Sequence, residues 1–295
     1  MVCLAGTVWG TIGPAVYLVH ERSPLSPLTI SAYRAVAAVT TLLVAALAAG
    51  RRHACLSLAR NHWRRVVVVG SLTGTYQLLF FVAVVTAGVS VTTVVSLGFA
   101  PVLLLVVTSA QRRRLPPLSR VLTVTAAVLG LLLVSFSGVA EDGPNAALGI
   151  PAALASGAAY ALSADLAPSL SERHDGLTVS TLTMTVAAAL LVPVGLVLAH
   201  LRGEAMTTSD AGSWLMLVYL GVVTMAFAYV LLFAGLRTTA SGTAVVATLL
   251  EPVTAVLIAV SLLGERLTPT IAMGALLIVA AIASLGRQPE PPPPQ

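Results

Sequence analysis

The chain has 295 residues, 57% of them hydrophobic and only 9% charged, with a mean hydropathy of +0.96. A soluble domain carries roughly 25% charged residues, so this composition excludes a free soluble enzyme or binding module and indicates a membrane protein. The net charge of +5 does not point to nucleic acid, because all 16 basic residues are Arg and nearly all cluster between apolar stretches, where they orient a chain in a bilayer.

Ten apolar stretches occur in order, at residues 2–19, 28–49, 66–87, 91–110, 120–138, 146–170, 177–200, 213–236, 241–263 and 269–285. Each is close to the ~20 residues a helix needs to cross hydrocarbon. The runs are too long and too continuously apolar for barrel strands, and lipid leaves open backbone groups no partner, so helices are predicted. The fold class expected is an all-α membrane protein with ten transmembrane helices. The first stretch lacks a basic leading region and is long enough to span, so it reads as a retained helix; it carries Cys3, Trp9 and Gly10. Arg34 interrupts the second, and the third holds Tyr76 and Gln77 beside Thr73 and Thr75. Pro101 sits in the fourth, Tyr160 and Asp165 in the sixth, Phe227 in the eighth, and the pair Glu251-Pro252 in the ninth. Residues 288–295 are Pro-rich and are expected to be an extended, disordered tail. The two cysteines, Cys3 and Cys55, are expected to be free thiols.

The chain repeats itself. Counting back 151 residues pairs Glu251-Pro252-Val253 with Ala100-Pro101-Val102, Trp214 with Trp63, Gly221 with Gly70, and Phe227 with Tyr76. A one-residue slip then matches Gly264-Glu265-Arg266-Leu267-Thr268-Pro269 with Arg112-Arg113-Arg114-Leu115-Pro116-Pro117. Two copies, at 1–138 and 146–287, would hold five spans each. An odd number of spans inverts the second copy, and inverted repeats are a property of secondary transporters. Arginine counting gives the orientation. With the N-terminus cytoplasmic, inner segments carry twelve arginines and outer loops three, so both termini are expected inside.

Trp9-Gly10, Arg34, the mid-span prolines Pro101 and Pro252, and above all Gly264-Glu265-Arg266-Leu267-Thr268-Pro269 leading into Gly274 resemble the EamA-type branch of the drug/metabolite transporter superfamily. The resemblance covers nearly the whole chain. It implies ten helices in two inverted repeats around a central cavity, and export of amino acids or other small metabolites. The chain departs where Arg112-Arg113 replaces the acidic motif of the second copy.

A charge in hydrocarbon costs at least ~2.5–3.5 kcal/mol, so an ionisable residue within a span normally faces a cavity or a partner. Glu251 is the foremost candidate. It precedes Pro252, which frees local backbone groups at mid-span, and it either lines a transport site or fixes helix packing through hydrogen bonds. Arg34 either clamps a substrate carboxylate, snorkels outward or pairs with Glu251. Asp165 either pairs with Arg173 or meets water at the inner face. Gln77, Tyr76, Trp9, Tyr160 and Phe227 are candidate cavity walls, with core packing as the alternative. Pro101 and Pro252 are the expected helix breaks. No phosphate-cradling loop, nucleophile elbow or metal-ligand spacing occurs, so no cofactor or metal is expected.

The sequence thus points to a secondary transporter that exports small metabolites by alternating access, with the bilayer and a small solute as partners and protons as a candidate coupling ion. The alternatives are a multidrug exporter of lipophilic cations and, more remotely, a membrane enzyme or lipid-handling protein.

Overall fold

The computed structural model describes residues 1–135, 145–262 and 267–285. Gly264, Glu265 and Arg266 of the second-copy motif, Arg287 and the Pro-rich tail lie outside the described residues. Those described are helical apart from short connections and one isolated bridge between Leu25 and Ala205. Among the described residues nine spans are long and apolar enough to cross a membrane, from Val2–Arg22 to Ser241–Leu262, and the described part of a further apolar helix, Pro269–Leu285, is shorter.

The helices are α1 (Val2–Trp9), α2 (Ile12–Arg22), α3 (Pro27–Ala48), α4 (Arg52–Asn61), α5 (Trp63–Ala87), α6 (Val89–Arg112) and α7 (Leu118–Ser135). They continue with α8 (Ala146–Leu166), α9 (Pro168–Ser171), α10 (Gly176–Leu201) and α11 (Ala211–Gly221). After α11 come a π-helical segment (Val222–Phe227), α12 (Ala228–Gly235), α13 (Ser241–Thr248), α14 (Leu250–Leu262) and α15 (Pro269–Leu285). Several helix starts carry the side chains that such starts need. Ser26 accepts from the Thr29 amide with Pro27 at the first helical position, Asp175 from Thr178, and Asp210 from Ser213. Gly88, at φ +86°, turns α5 directly into α6.

The seams between helices are made by small residues. α3 lies on α10, α7 on α15, α5 on α8 and α10, and α1 on α12 to α14. A Cβ built on Gly70 would lie 2.7 Å from the Thr183 carbonyl oxygen, and one on Gly221 would lie 2.7 Å from that of Arg34. In lipid, where apolar surface gives no net drive, such close backbone approach supplies the packing attraction. Buried hydroxyls add cross-links: Ser96 donates to Ser156, which donates to the Tyr76 carbonyl, and Ser163 donates to Thr73, which donates to the Val69 carbonyl.

Two expectations about breaks need correction. Pro101 does not interrupt its helix, since α6 runs through it. The second copy does break, at Leu249 rather than at Pro252. A proline clashes with the carbonyl four residues back, which is Thr248, the last residue of α13. The Thr248 hydroxyl donates to the Val245 carbonyl, and the Leu249 amide bonds to the Val246 carbonyl, which tightens the turn. The first copy has Leu97 at that place, with no hydroxyl to hold such a turn. The break between α1 and α2, at Gly10-Thr11, was not expected. It obeys the same rule, because Gly10 lies four residues before Pro14.

Candidate functional site

Three irregular places converge. A Cβ on Gly10, in the α1–α2 break, would lie 2.6 Å from the carbonyl oxygen of Glu251, just past the α13–α14 break. The indole N–H of Trp9 donates to the Thr224 carbonyl, inside the π segment, at 2.9 Å. Lipid-embedded chains tolerate non-α backbone where it is buried in protein or lines a cavity, and π segments recur at functional sites.

A cavity of about 80 Å³ opens beside this junction. Its polar lining is Arg34 from α3, Gln77 from α5 and Glu251 from the first turn of α14. Its walls include Trp9, Tyr76, Phe81 and Tyr229. Arg34 is only 5% exposed, and its Nε has no hydrogen-bond partner. Its guanidinium carbon stands 6.0 Å from the centre of the Phe81 ring, within cation–π range. Both ends of the Gln77 amide are buried without a partner. The ion pairs within 4.0 Å among the described residues are Arg51–Asp175 and Arg202–Glu204, so Arg34 and Glu251 share the cavity without closing on each other. Buried polar groups are nearly always satisfied. Here two of them stand unpaired beside a carboxylate in one chamber. A guanidinium offers a two-pronged grip to a carboxylate, an amide both donates and accepts, and a carboxylate accepts from an ammonium or takes up a proton.

The other candidates divide. Trp9 and Tyr76 are in the walls. Tyr160 lies behind them, in ring contact with Tyr76 at 5.0 Å and with Trp9 at 6.5 Å, and its hydroxyl donates to Thr248. Phe227 is outside both the cavity and this aromatic group, and 49% exposed. The physical reason is the π segment that ends at Phe227: its wider turn takes an extra residue and rotates the helix beyond it. Tyr229 points inward instead. The 151-residue register aligned Phe227 with Tyr76 and passed over Tyr229; no period in an all-apolar helix reveals such a turn. Asp165 lies away from the cavity, accepting from Ser241 Oγ at the start of α13 at 3.1 Å rather than pairing with Arg173.

The EamA-like transporter family model matches residues 1–136 and again 147–287. The chain belongs to the EamA-like transporter family. It is similar to a Bacillus subtilis (strain 168) protein described as the uncharacterized transporter YwfM, with 28% identity over 291 residues, 98% of this chain and 93% of that one. A solved crystal structure, described only as that of a protein, superposes with a TM-score of 0.77 at 19% identity, over 96% of this chain and 94% of that chain. That likeness concerns the fold alone. The family match, the transporter-named relative and the apolar helices point to a multi-pass membrane transporter.

Proposed function

We propose that this EamA-like protein is a secondary transporter that exports small metabolites bearing both a carboxylate and an ammonium, such as amino acids, by alternating access. The observation that carries this reading is the unpaired Arg34 and Gln77 sharing one chamber with Glu251. Arg34 and Gln77 receive the carboxylate. Glu251 receives the ammonium or, between substrates, a proton. The apolar remainder of the solute lies against Trp9, Phe81 and Tyr229. The aromatic walls and Glu251 also suit a lipophilic cation, but Arg34 in the same chamber repels one.

Alternating access needs two units that rock against each other. We read the fold as ten helices, α15 completing the tenth span, in two inverted five-helix repeats at 1–138 and 146–287. Support comes from the two family matches and from the paired seams at Gly70 and Gly221. The twelve-to-three arginine distribution favours both termini in the cytoplasm and the protein in the cell membrane.

The test is a growth screen of cells with and without the protein, challenged with toxic amino-acid analogues and with lipophilic cations. Tolerance to the analogues, lost in Glu251→Gln and Arg34→Lys at unchanged membrane abundance, is expected. An ammonium cannot reproduce the guanidinium fork, and a charged hydrogen bond is worth roughly 1.5–3 kcal/mol, so Arg34→Lys should lower export of carboxylate-bearing solutes about tenfold or more. Tolerance to cations alone would overturn the substrate reading.

A further inference from the structure

A second, much smaller crevice of about 10 Å³ lies next to the chamber, and the two share Tyr76 and Tyr229 in their walls. The crevice runs past Ser163 to Ala167 and Leu236, where α8 and α12 end. These helices end on the face where α5 and α10 begin and α4 packs on α10. The chamber extends the other way, towards Ile12, Phe80 and Phe81.

Four rings form an arc across this boundary. Tyr76 touches Tyr160, Tyr160 touches Trp9, and Trp9 touches Tyr229, with centroids 5.0, 6.5 and 5.4 Å apart. The two middle members are tethered: Trp9 to the Thr224 carbonyl, and Tyr160 through Thr248 to the Val245 carbonyl. The two end members are not. Among the described residues neither the Tyr76 nor the Tyr229 hydroxyl has a hydrogen-bond partner; packing alone holds these rings, Tyr76 against Phe80 and Tyr160, and Tyr229 against Trp9 and Phe233. A ring tied to another helix by a hydrogen bond must break that bond to leave its place, whereas a ring held by packing alone can follow its own helix when the helices shift.

We propose that Tyr76 and Tyr229 are the moving leaves of a gate between the solute chamber and the α4 face, hung on the fixed pair Trp9 and Tyr160. This deepens the transporter reading and rests on it: closed leaves hold the chamber off from that face, and turned leaves join chamber and crevice into one passage. Each leaf comes from one half of the chain, α5 and α12, so a rocking of the halves moves both.

The test uses the full chain with Cys3→Ala and Cys55→Ala, and a single reporter, Ala167→Cys, in the crevice. A membrane-impermeant maleimide is applied to vesicles of each orientation. Ala167 is 1% exposed, so labelling is expected to be slow, and only from the α4 face, in this parent and in Tyr76→Phe/Tyr229→Phe, which keeps the rings. Tyr76→Ala/Tyr229→Ala is expected to be labelled from both faces at comparable rates. If the double variant does not fold, either single alanine variant should show the same gain from the far face, to a lesser degree. Labelling from the far face in the parent, or no gain in any folded alanine variant, would overturn the gate. The readout needs no solute, so it stands apart from a failure of the transport reading, which would show as absent flux with labelling unchanged.

Discussion

Gly70 on α5 lies against the Thr183 carbonyl and the Val186 side chain of α10, and Gly221 at the end of α11 lies against the Arg34 carbonyl and the Ala37 side chain of α3. Thr183 and Val186 each come 149 residues after their counterparts, Arg34 and Ala37. The helix starts correspond too. Ser26 caps α3 through Thr29, and 149 residues later Asp175 caps α10 through Thr178. Their chemistry differs. Around Ser26 the partners are neutral: Thr29 donates to the Ala205 carbonyl and Tyr33 to that of Met206. Around Asp175 lie Arg51 at 3.8 Å and a ring contact between His62 and His174. In the cavity, Arg34 faces a chamber while Thr183 folds back onto the Val179 carbonyl, and Glu251 stands where the first copy has Ala100. Close packing recurs because both halves must meet at backbone distance. The charges occur once, because each is tied to one face or one chamber.

The largest effects are expected at the seams. Gly70→Leu and Gly221→Leu each force a side chain into the opposing backbone, and overpacking of this kind costs about 1–3 kcal/mol or more. Both variants should lose folded yield in size-exclusion chromatography and melt well below the parent. Damage from only one would mean that the seams are not equivalent.

The capped starts give a smaller effect. Loss of a cap costs about 1 kcal/mol, so Asp175→Ala and Ser26→Ala should both lower the melting temperature. Each cap holds the amide and the hydroxyl of the threonine three residues on, but Asp175→Ala should lower it more, since Asp175 does so with a carboxylate and also faces Arg51. Equal losses would remove the ionic part of the comparison.

The smallest effect is the sharpest. Burial opposes ionisation of Asp175, but the Thr178 hydrogen bonds and Arg51 outweigh it and hold the carboxyl below its ordinary value. A depressed folded value stabilises above the unfolded value of about 3.9 and is lost as pH falls through the lower folded one. Parent protein should therefore lose part of its stability on acidification below that range, and Asp175→Asn should lose less, in melts at stepped pH. Ser26→Ala should leave the pH profile unchanged in shape.

Much of this architecture is written in the sequence, because bilayer crossing demands long apolar runs and these are visible without a partner. The chamber's polar members, Arg34, Gln77 and Glu251, were legible for a related reason: each is costly in lipid and stands out in an apolar helix. Tyr229 was not legible. It owes its inward direction to a π turn made of Val, Thr, Met, Ala and Phe, residues that serve equally well in an α-helix. The break at Gly10-Thr11 was legible in principle through Pro14, while the break at Leu249 depended on a Thr248 hydroxyl and its contact with Tyr160. Seams at Gly70 and Gly221 could be paired by register, but the sequence does not say which carbonyl each glycine meets.

The most direct measurement is solute flux in proteoliposomes made with purified parent protein and with Glu251→Gln, both checked for equal thermal stability and equal insertion. Gradient-driven uptake of a carboxylate- and ammonium-bearing solute in the parent, and its loss in the equally stable variant, is expected if the chamber at Arg34 and Glu251 is the transport site. Undiminished flux in Glu251→Gln would contradict that placement.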